Sequence, residues 1–249
     1  MHKGDIKELL DQEVLKRDTL LELSEARPDP LMVAKRYHDE KISLICALFA
    51  YGNANQIVKF LSSLDFSLLM KDDLSITNAL SDKYYRFQSS EDVVQFFITM
   101  REIKKRYSLE EVFVSGYQKQ HNVIDGINEL ISLLYDINSY RSKGYEFLIG
   151  KIPDKNIKST YKRWNMYLRW MVRKDNLDMG LWSRVDRKDL LVPLDTHTFN
   201  ISRKLGLIKR KTYDLKAVME LTKRLREFDA NDPVKYDFAI YRLGQERIV

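Results

Sequence analysis

The stretch Val192-Pro193-Leu194-Asp195-Thr196-His197-Thr198-Phe199-Asn200 contains a helix start. Asp195 follows a proline and precedes a helical pattern over about 196–205, so its carboxylate is well placed to cap that helix. Capping alone is a sufficient reason for an aspartate here, although a rigidly held capping carboxylate can also serve in a reaction. His197 is interpreted as a structural hydrogen-bonding residue near the same helix start.

A second helix start lies upstream, in Ser159-Thr160-Tyr161-Lys162-Arg163-Trp164-Asn165-Met166. Ser159 or Thr160 is the predicted N-cap, which leaves Lys162 in the first turn. The positive end of the helix dipole disfavours a protonated amine there, and a lysine whose pKa is lowered becomes a nucleophile. The alternative is a lysine that contacts phosphate or is only solvated. At about 100° per residue, one face, predicted to point away from the core, carries Lys162, Asn165, Met166, Arg169 and Arg173.

The rest of the chain predicts helices almost throughout, because apolar residues recur at three- and four-residue spacing and there are only 9 glycines and 5 prolines. The fold class is therefore predicted to be all-α, with residues 139–159 as the most loop-like stretch. Helices are predicted at about 4–24, 30–37, 40–51, 54–69, 90–106, 109–119, 122–138, 160–174, 178–183, 196–205, 214–228 and 232–243.

The composition is that of a globular protein, with 249 residues, 44% hydrophobic and 31% charged. An apolar run long enough for a membrane span and a signal-peptide pattern are both missing from the sequence, which predicts a cytoplasmic protein with no membrane partner. The single cysteine, Cys46, lies in an apolar run and is predicted to be a core residue. One cysteine and four scattered histidines exclude a disulfide and a cysteine-rich metal site, and no metal or cofactor is expected.

The positive charge is concentrated locally. Lysine and arginine exceed aspartate and glutamate by 6. Residues 158–174 contain six basic residues and no acidic residue, and tyrosine and tryptophan side chains lie between the basic ones. Such a stretch suits a phosphate backbone, and a second basic run follows over 203–211. A solvated basic face is the alternative interpretation.

The segment Tyr51-Gly52-Asn53-Ala54-Asn55-Gln56 joins two predicted apolar helices. Asn53 is well placed as N-cap of the helix that starts at Ala54. Alternatively, the amide side chains of Asn53 and Asn55 could act as hydrogen-bonding wedges in a base stack.

Three of these segments resemble the helix-hairpin-helix–GPD superfamily of DNA glycosylases. Residues 192–200 resemble its Val-Asp-Thr-His segment, which maps the catalytic carboxylate onto Asp195. Residues 161–166 resemble the helix after its hairpin, which maps the nucleophile onto Lys162. Residues 42–59 resemble the superfamily's early helix pair, whose Gln or Asn side chains fill the gap left by a flipped base, which maps that role onto Asn53 and Asn55. Residues 235–244 resemble a closing helix that lines the base pocket.

The combination of residues 27–31, 162–174, 193–197 and 232–238 is closer to a divergent bacterial branch associated with 8-oxoguanine DNA glycosylase activity. Two departures stand out. The hairpin stretch 149–158 has no second glycine, so Lys158 and Ser159 are the candidates to replace the usual backbone grip on phosphate. The long separation between Lys162 and Asp195 is similar to that of archaeal 8-oxoguanine glycosylases.

The resemblance implies two helical lobes around a DNA-binding cleft, one formed by residues 39–174 and the other by 1–38 plus 175–249. The implied activity is that of a bifunctional glycosylase and lyase, in which Lys162 attacks the sugar C1′ and Asp195 stabilises the positive charge. The implied partner is double-stranded DNA with a damaged base, bound by a monomer that is nucleoid-associated when on DNA. The candidate DNA contacts are Asn53, Asn55, Lys158, Ser159, Arg169, Arg173 and His197, and the candidate base-pocket residues are Trp164, Trp182 and Phe238.

Two alternatives remain open from the sequence. An alkylpurine DNA glycosylase without lyase activity would need the aspartate but not Lys162. A non-catalytic helical DNA-binding protein would use the basic helices and have no need for Asp195.

Overall fold

A computed structural model describes residues 3–153 and 158–246. In these two ranges the secondary structure consists of thirteen α-helices and short 3-10 segments, with isolated β-bridges but no strand. The all-α prediction is confirmed. None of the helices in the described ranges is both long enough and apolar enough to cross a membrane.

The chain divides into two compact units. The terminal unit comprises Met1–Arg27 and Lys155–Val249, and the central unit comprises Pro28–Asp154. The helices of the terminal unit are α1 (Lys3–Arg17), α10 (Lys162–Val172), α11 (Thr196–Lys204), α12 (Leu215–Arg226) and α13 (Asp237–Gln245). The helices of the central unit are α2 (Leu31–Tyr37), α3 (Glu40–Leu48), α4 (Ala54–Ser62), α5 (Asp73–Leu80), α6 (Ser90–Arg106), α7 (Leu109–Tyr117), α8 (Val123–Ile137) and α9 (Lys143–Ile149).

These boundaries differ from the predicted lobes 39–174 and 1–38 plus 175–249, because α10 belongs to the terminal unit and α2 to the central unit. The contacts of α10 explain its place in the terminal unit. The carbonyl of Trp170 accepts hydrogen bonds from the backbone N–H groups of Met179 (3.0 Å) and Gly180 (3.2 Å). Arg169 of the same helix pairs with Asp178 at 3.0 Å. The helix is therefore fixed to the segment that follows it.

The N-terminal helix joins the terminal unit through a buried charge cluster. Arg17 lies at the end of α1 and is almost completely buried. It donates to Glu13 at 2.8 Å and to Glu246 at 2.8 Å, which connects α1 to the end of α13. A buried guanidinium requires such partners because an unpaired charge in the interior is strongly destabilising.

Polar caps set the starts of many helices. Ser89 forms a capping box with Asp92 at the start of α6, and Ser108 and Asp214 cap α7 and α12. Cys46 is buried in α3, which confirms its prediction as a core residue. Gly206 follows α11 with a φ of 72°, a left-handed conformation that ends a helix at little cost for glycine.

The predicted helix pattern differs from the structure in five places. The first helix ends at Arg17, and the predicted helix 54–69 divides into α4 and a 3-10 segment, Phe66–Met70. Helices α5 and α9 were not predicted, since α9 is short and lies in the glycine-containing stretch 139–159. No helix forms over 178–183, where the backbone instead bonds back to α10.

Candidate active site and nucleic-acid contacts

Asp195 caps α11. Its backbone is extended, and its Oδ1 accepts a hydrogen bond from the backbone N–H of Thr198 at 2.7 Å. The helix begins at Thr196, so the capping role predicted from the sequence is confirmed. The carboxylate is half-buried, which leaves it fixed in direction but still partly open to solvent.

Lys162 is the first residue of α10 and is half-buried. Its Nζ lies 3.6 Å from the Sδ of Met166, one turn later on the helix. A thioether is a weak acceptor, so this contact orients the side chain without neutralising an ammonium charge. The position at the positive end of α10 agrees with the prediction that Lys162 lies in the first turn.

The N-cap of α10 is Tyr161, not Ser159 or Thr160, so that prediction is wrong. Tyr161 has a φ of 50°, in the left-handed region. A non-glycine residue there costs about 1–2 kcal/mol. The Ser159 hydroxyl oxygen is used earlier, because it accepts from the backbone N–H of Tyr161 at 3.1 Å. A strained backbone position therefore directly precedes Lys162.

The predicted outward face of α10 is buried beyond Lys162. Asn165 is only 1% exposed, and its Nδ2 donates to the carbonyl of Thr160 at 3.1 Å. Met166 is buried as well. The prediction of an outward face fails because α10 is enclosed on all sides from Trp164 to Met171. Only its first turn reaches solvent with a basic side chain.

Arg169 and Arg173 are not phosphate contacts, contrary to the prediction. They are 2% and 9% exposed. Arg169 donates to Asp178 and Asp237, and Arg173 pairs with Asp232 at 3.0 Å and with Asp178. The sequence did not predict these ion pairs, because the aspartates lie outside the acid-free stretch 158–174 along the chain and are brought against it only by folding.

Asp237 connects the two candidate catalytic residues. It is the first residue of α13 and is buried. Burial raises the pKa of Asp237 to about 6 against the positive charges of Arg169 and Lys162, while the negative charge of Asp195 acts in the same direction as burial. The charges of Lys162 and Asp195 therefore both influence this one buried carboxyl, in opposite directions.

The aromatic residues predicted for a base pocket have different environments. Trp164 and Trp182 are buried, and both pack edge-on against Tyr167, with ring centroids 6.5 Å and 5.5 Å away. They are core residues, and their role in a base pocket stays a prediction. Phe238 is half-buried, and the Arg169 guanidinium lies 4.5 Å from its ring centroid. Its role in a base pocket stays a prediction.

The surroundings of His197 fit its predicted role as a structural hydrogen-bonding residue. Its Nε2 lies 3.3 Å from the Tyr241 carbonyl oxygen, and its ring packs edge-on against Tyr241. A Cβ added at Gly244 would lie 2.4 Å from the same Nε2. His197 therefore holds α11 closely against α13, and its predicted DNA contact is not needed to explain it.

In the central unit, Asn53 is the N-cap of α4. Its Oδ1 accepts from the backbone N–H groups of Asn55 (3.0 Å) and Gln56 (3.3 Å), so the capping interpretation is confirmed. Asn53 and Asn55 are both exposed. A wedge role for these amides stays a prediction, and the side chain of Asn55 is the one that capping does not use.

A neighbouring turn presents residues that the sequence analysis missed. Tyr85 and Gln88 exchange backbone hydrogen bonds of 3.1 and 2.9 Å, which places Arg86 and Phe87 at the tip. Phe87 is 61% exposed and stacks parallel to Tyr51, with ring centroids 6.1 Å apart. The Arg86 guanidinium lies 5.5 Å from the Phe87 ring centroid. The available signal was Tyr84-Tyr85-Arg86-Phe87 itself, an aromatic run outside any helical pattern.

The glycine at the α3–α4 junction allows this arrangement. Gly52 has a φ of 102°, and a Cβ there would lie 2.5 Å from Nη1 of Arg86. Glycine is the residue that combines such a backbone with such a close approach. The Arg86–Phe87 turn is therefore packed directly against the Asn53 junction, and we call Tyr51, Arg86 and Phe87 the aromatic turn.

Lys158 and Ser159 are exposed, as phosphate contacts would be. The middle of the predicted hairpin stretch, residues 154–157, lies outside the described residues. Among the residues that the structure does describe, no group of three or more histidine, cysteine, aspartate or glutamate side chains could hold a metal ion.

Comparison with known proteins gives one match. The model of the family described as "Protein of unknown function (DUF2400)" matches residues 29–246. No curated protein and no solved structure matches the chain. Since the matched region covers most of the sequence, including Lys162, Asp195 and Asp237, the chain belongs to the DUF2400 family.

Proposed function

We propose that this protein is a bifunctional DNA glycosylase and AP lyase that removes 8-oxoguanine from duplex DNA. The proposal includes the helix-hairpin-helix–GPD relationship, with the two lobes and DNA-binding cleft that the resemblance implies, and action as a cytoplasmic monomer without a cofactor. It goes beyond the all-α fold and the family membership.

The observation that carries the proposal is the arrangement of Lys162, Asp195 and Asp237. An amine at the first residue of one helix and a carboxylate at the N-cap of another both act on the same buried acid. A reaction through a lysine adduct requires a nucleophile and a nearby anion that stabilises developing positive charge. Both groups are half-buried, so they are fixed in position yet reachable.

In the proposed reaction, the target nucleotide leaves the stack and its C1′ meets the Lys162 amine. The bond from Nζ to C1′ forms as the glycosidic bond breaks, and the electron pair of that bond leaves with the base. Asp195 stabilises the cationic sugar, and the proton lost by the amine passes to the departing base. The nitrogen lone pair then opens the sugar ring: the C1′–O4′ bond breaks, O4′ takes a proton, and a Schiff base forms between Nζ and C1′. Loss of a C2′ proton from this Schiff base allows elimination of the 3′ phosphate.

Surface residues of both units supply the proposed DNA contacts. Lys158 and Ser159 lie just before α10 and are exposed, which suits phosphate binding. In the central unit, Asn55 and the aromatic turn combine an exposed amide, an exposed ring and a guanidinium. Rings and guanidinium groups of this kind stack on bases without sequence preference. We therefore propose that the aromatic turn contacts nucleotide bases.

Borohydride trapping tests the proposed function. The protein is incubated with duplexes that contain 8-oxoguanine, an alkylated purine, an abasic site or no lesion. A covalent protein–DNA adduct is expected on the 8-oxoguanine and abasic duplexes, since the borohydride reduces a Schiff base. Lys162→Gln should abolish trapping, while Lys223→Gln on an exposed position of α12 serves as the matched lysine control.

Other outcomes separate the alternatives. Excision of the alkylated purine without a trapped adduct would favour a glycosylase that activates water. Binding to all duplexes with neither excision nor trapping would favour a non-catalytic DNA-binding protein. Equal trapping by Lys162→Gln and the unmodified protein would exclude Lys162 as the nucleophile.

A further inference from the structure

One tyrosine hydroxyl lies between the two helix starts of the candidate active site. The Tyr213 hydroxyl donates to the carbonyl oxygen of Leu194 at 2.9 Å and lies 3.1 Å from the Oγ1 of Thr160. Leu194 directly precedes Asp195, and Thr160 lies two residues before Lys162. A single oxygen atom thus joins the segment leading into α11 to the segment leading into α10.

Further contacts fix this hydroxyl on the Asp195 side. The Tyr213 ring packs edge-on against Phe199 of α11, with ring centroids 5.7 Å apart. Although Tyr213 is 38% exposed as a whole, partial burial raises the pKa of its hydroxyl, the hydrogen bond with Thr160 opposes this, and the charge of Asp195 acts in the same direction as burial. The phenol therefore keeps its proton at neutral pH and donates it to the Leu194 carbonyl.

The backbone directly before Lys162 also depends on contacts with neighbouring residues. Tyr161 is in the left-handed conformation, which persists only where surrounding contacts hold it. Thr160, directly before it, is held at two atoms. Its carbonyl accepts from Asn165, and its hydroxyl meets Tyr213. The first of these contacts is internal to the α10 region, so the second is the one that relates α10 to α11.

We propose that Tyr213 is a positioning residue, which sets the start of α10 relative to the start of α11 and thereby Lys162 relative to Asp195. This inference rests on the proposed function, because it assigns Tyr213 a role in the same reaction. Tyr213 itself touches neither substrate nor reacting atoms. Its effect is on rate, since a misplacement of about 1 Å in a reacting pair can lower a rate by about 10²-fold.

The test compares Tyr213→Phe, Thr160→Val and the double variant. Two quantities are measured: the single-turnover rate of adduct formation on an abasic duplex under borohydride, and the affinity for a duplex with a tetrahydrofuran abasic analogue. Each single variant is expected to react about tenfold more slowly, with affinity unchanged within twofold. The double variant should be no slower than the slower single variant, because both changes remove the same link.

Tyr145→Phe is the matched control. The Tyr145 hydroxyl lies 2.7 Å from the Oγ1 of Thr99, so the change removes a tyrosine–threonine pair of the same chemistry in the central unit. Its reaction rate should equal that of the unmodified protein. A general loss of stability would slow all three tyrosine and threonine variants, whereas a positioning role slows only those of the Tyr213–Thr160 pair.

The outcomes distinguish the two proposals. If the unmodified protein forms adducts and Tyr213→Phe reacts at the same rate, the positioning role is overturned and the proposed function stands. Multiplicative losses in the double variant would also overturn it, even if each single variant is slow. If the unmodified protein forms no adduct on any damaged duplex, the proposed function fails and this inference fails with it.

Discussion

The guanidinium of Arg169 donates to the carboxylate of Asp237, which joins the last turn of α10 to the first residue of α13. Arg169 also pairs with Asp178, and Arg173, the C-cap of α10, pairs with Asp178 and Asp232. The helix that carries Lys162 at its exposed end is therefore held at its other end by buried ion pairs. This rigid support suits a residue whose position must be exact to within a fraction of an ångström.

Removing Arg169 should destabilise the protein rather than weaken a phosphate contact. Arg169→Ala removes the ion-pair partner of the Asp237 carboxylate and leaves Asp178 with Arg173 alone in the interior. Breaking a buried pair in this way costs about 3–5 kcal/mol. Urea unfolding monitored by circular dichroism measures the loss, with Lys204→Ala as an exposed control. A stable Arg169→Ala variant with weakened DNA binding would restore the phosphate interpretation.

Asp237 should make stability depend on pH. Burial raises its pKa from 3.8 to about 6 despite the charges of Arg169 and Lys162. The stabilising contribution of the protonated form is therefore fully present below pH about 4 and is lost as the pH rises through about 6. The difference between these two pKa values sets an upper bound of about 3 kcal/mol on the unfolding free energy lost over this pH range.

Asp237→Asn provides the comparison. The difference in unfolding free energy between this variant and the unmodified protein, measured in urea from pH 4 to 7, should change in favour of the variant as the pH rises. Other titrating groups are common to both proteins and largely cancel. A difference that is constant over this range would contradict the raised pKa.

The helix starts at Asp195 and Asn53 could be predicted because a cap is a local interaction, between a side chain and backbone groups two or three residues away. The environment of Arg169 and Arg173 could not. Their partners Asp178, Asp232 and Asp237 are up to 68 residues distant along the chain. A basic helix face looks the same in sequence whether it meets phosphate or buried carboxylates.

The N-cap of α10 could not be predicted for a different reason. Ser159 and Thr160 both have good N-cap side chains, yet Tyr161 takes the N-cap position in a left-handed conformation. Local propensity disfavours that choice, and it is the tertiary contacts of Thr160 with Asn165 and Tyr213 that hold it. Tyr213 itself carried no sequence signal, since it lies in a lysine-rich loop without a motif.

Asp195→Asn should separate the cap from the charge. Asparagine caps a helix about as well as aspartate, so the unfolding temperature should change little. The single-turnover rate of base excision should fall by roughly 10²-fold or more, the typical cost of losing one electrostatic stabiliser. Binding to the damaged duplex should be retained. Full activity in this variant would leave Asp195 as a helix cap only.

Gly244→Ala should disturb the contact of α11 with α13. The added Cβ would lie 2.4 Å from His197 Nε2 and 2.5 Å from Ile201 Cγ1, both on α11. Overpacking of this kind costs about 1–3 kcal/mol. Because Asp195 caps α11, excision should also slow. Gly4→Ala in α1, where nothing lies within 4 Å of the added atom, is the control; it should gain up to about 1 kcal/mol of helix stability and leave the rate unchanged. Equal stability of the two variants would contradict the close packing.

Lys158 and Asn55 should affect DNA binding in different ways. Lys158 is exposed just before the lysine helix, and a phosphate contact carries no information about the base. Lys158→Ala should therefore weaken binding to damaged and undamaged duplexes by similar factors and lower the salt slope of log K by about 0.9. Asn55→Ala should instead slow excision while changing affinity for undamaged DNA little, because an amide that fills a vacated stack acts only after a base has flipped. Fluorescence anisotropy over a salt series, paired with single-turnover excision, measures both effects. The distinction fails if Lys158→Ala weakens only lesion binding, or if Asn55→Ala weakens binding to both duplexes equally without slowing excision.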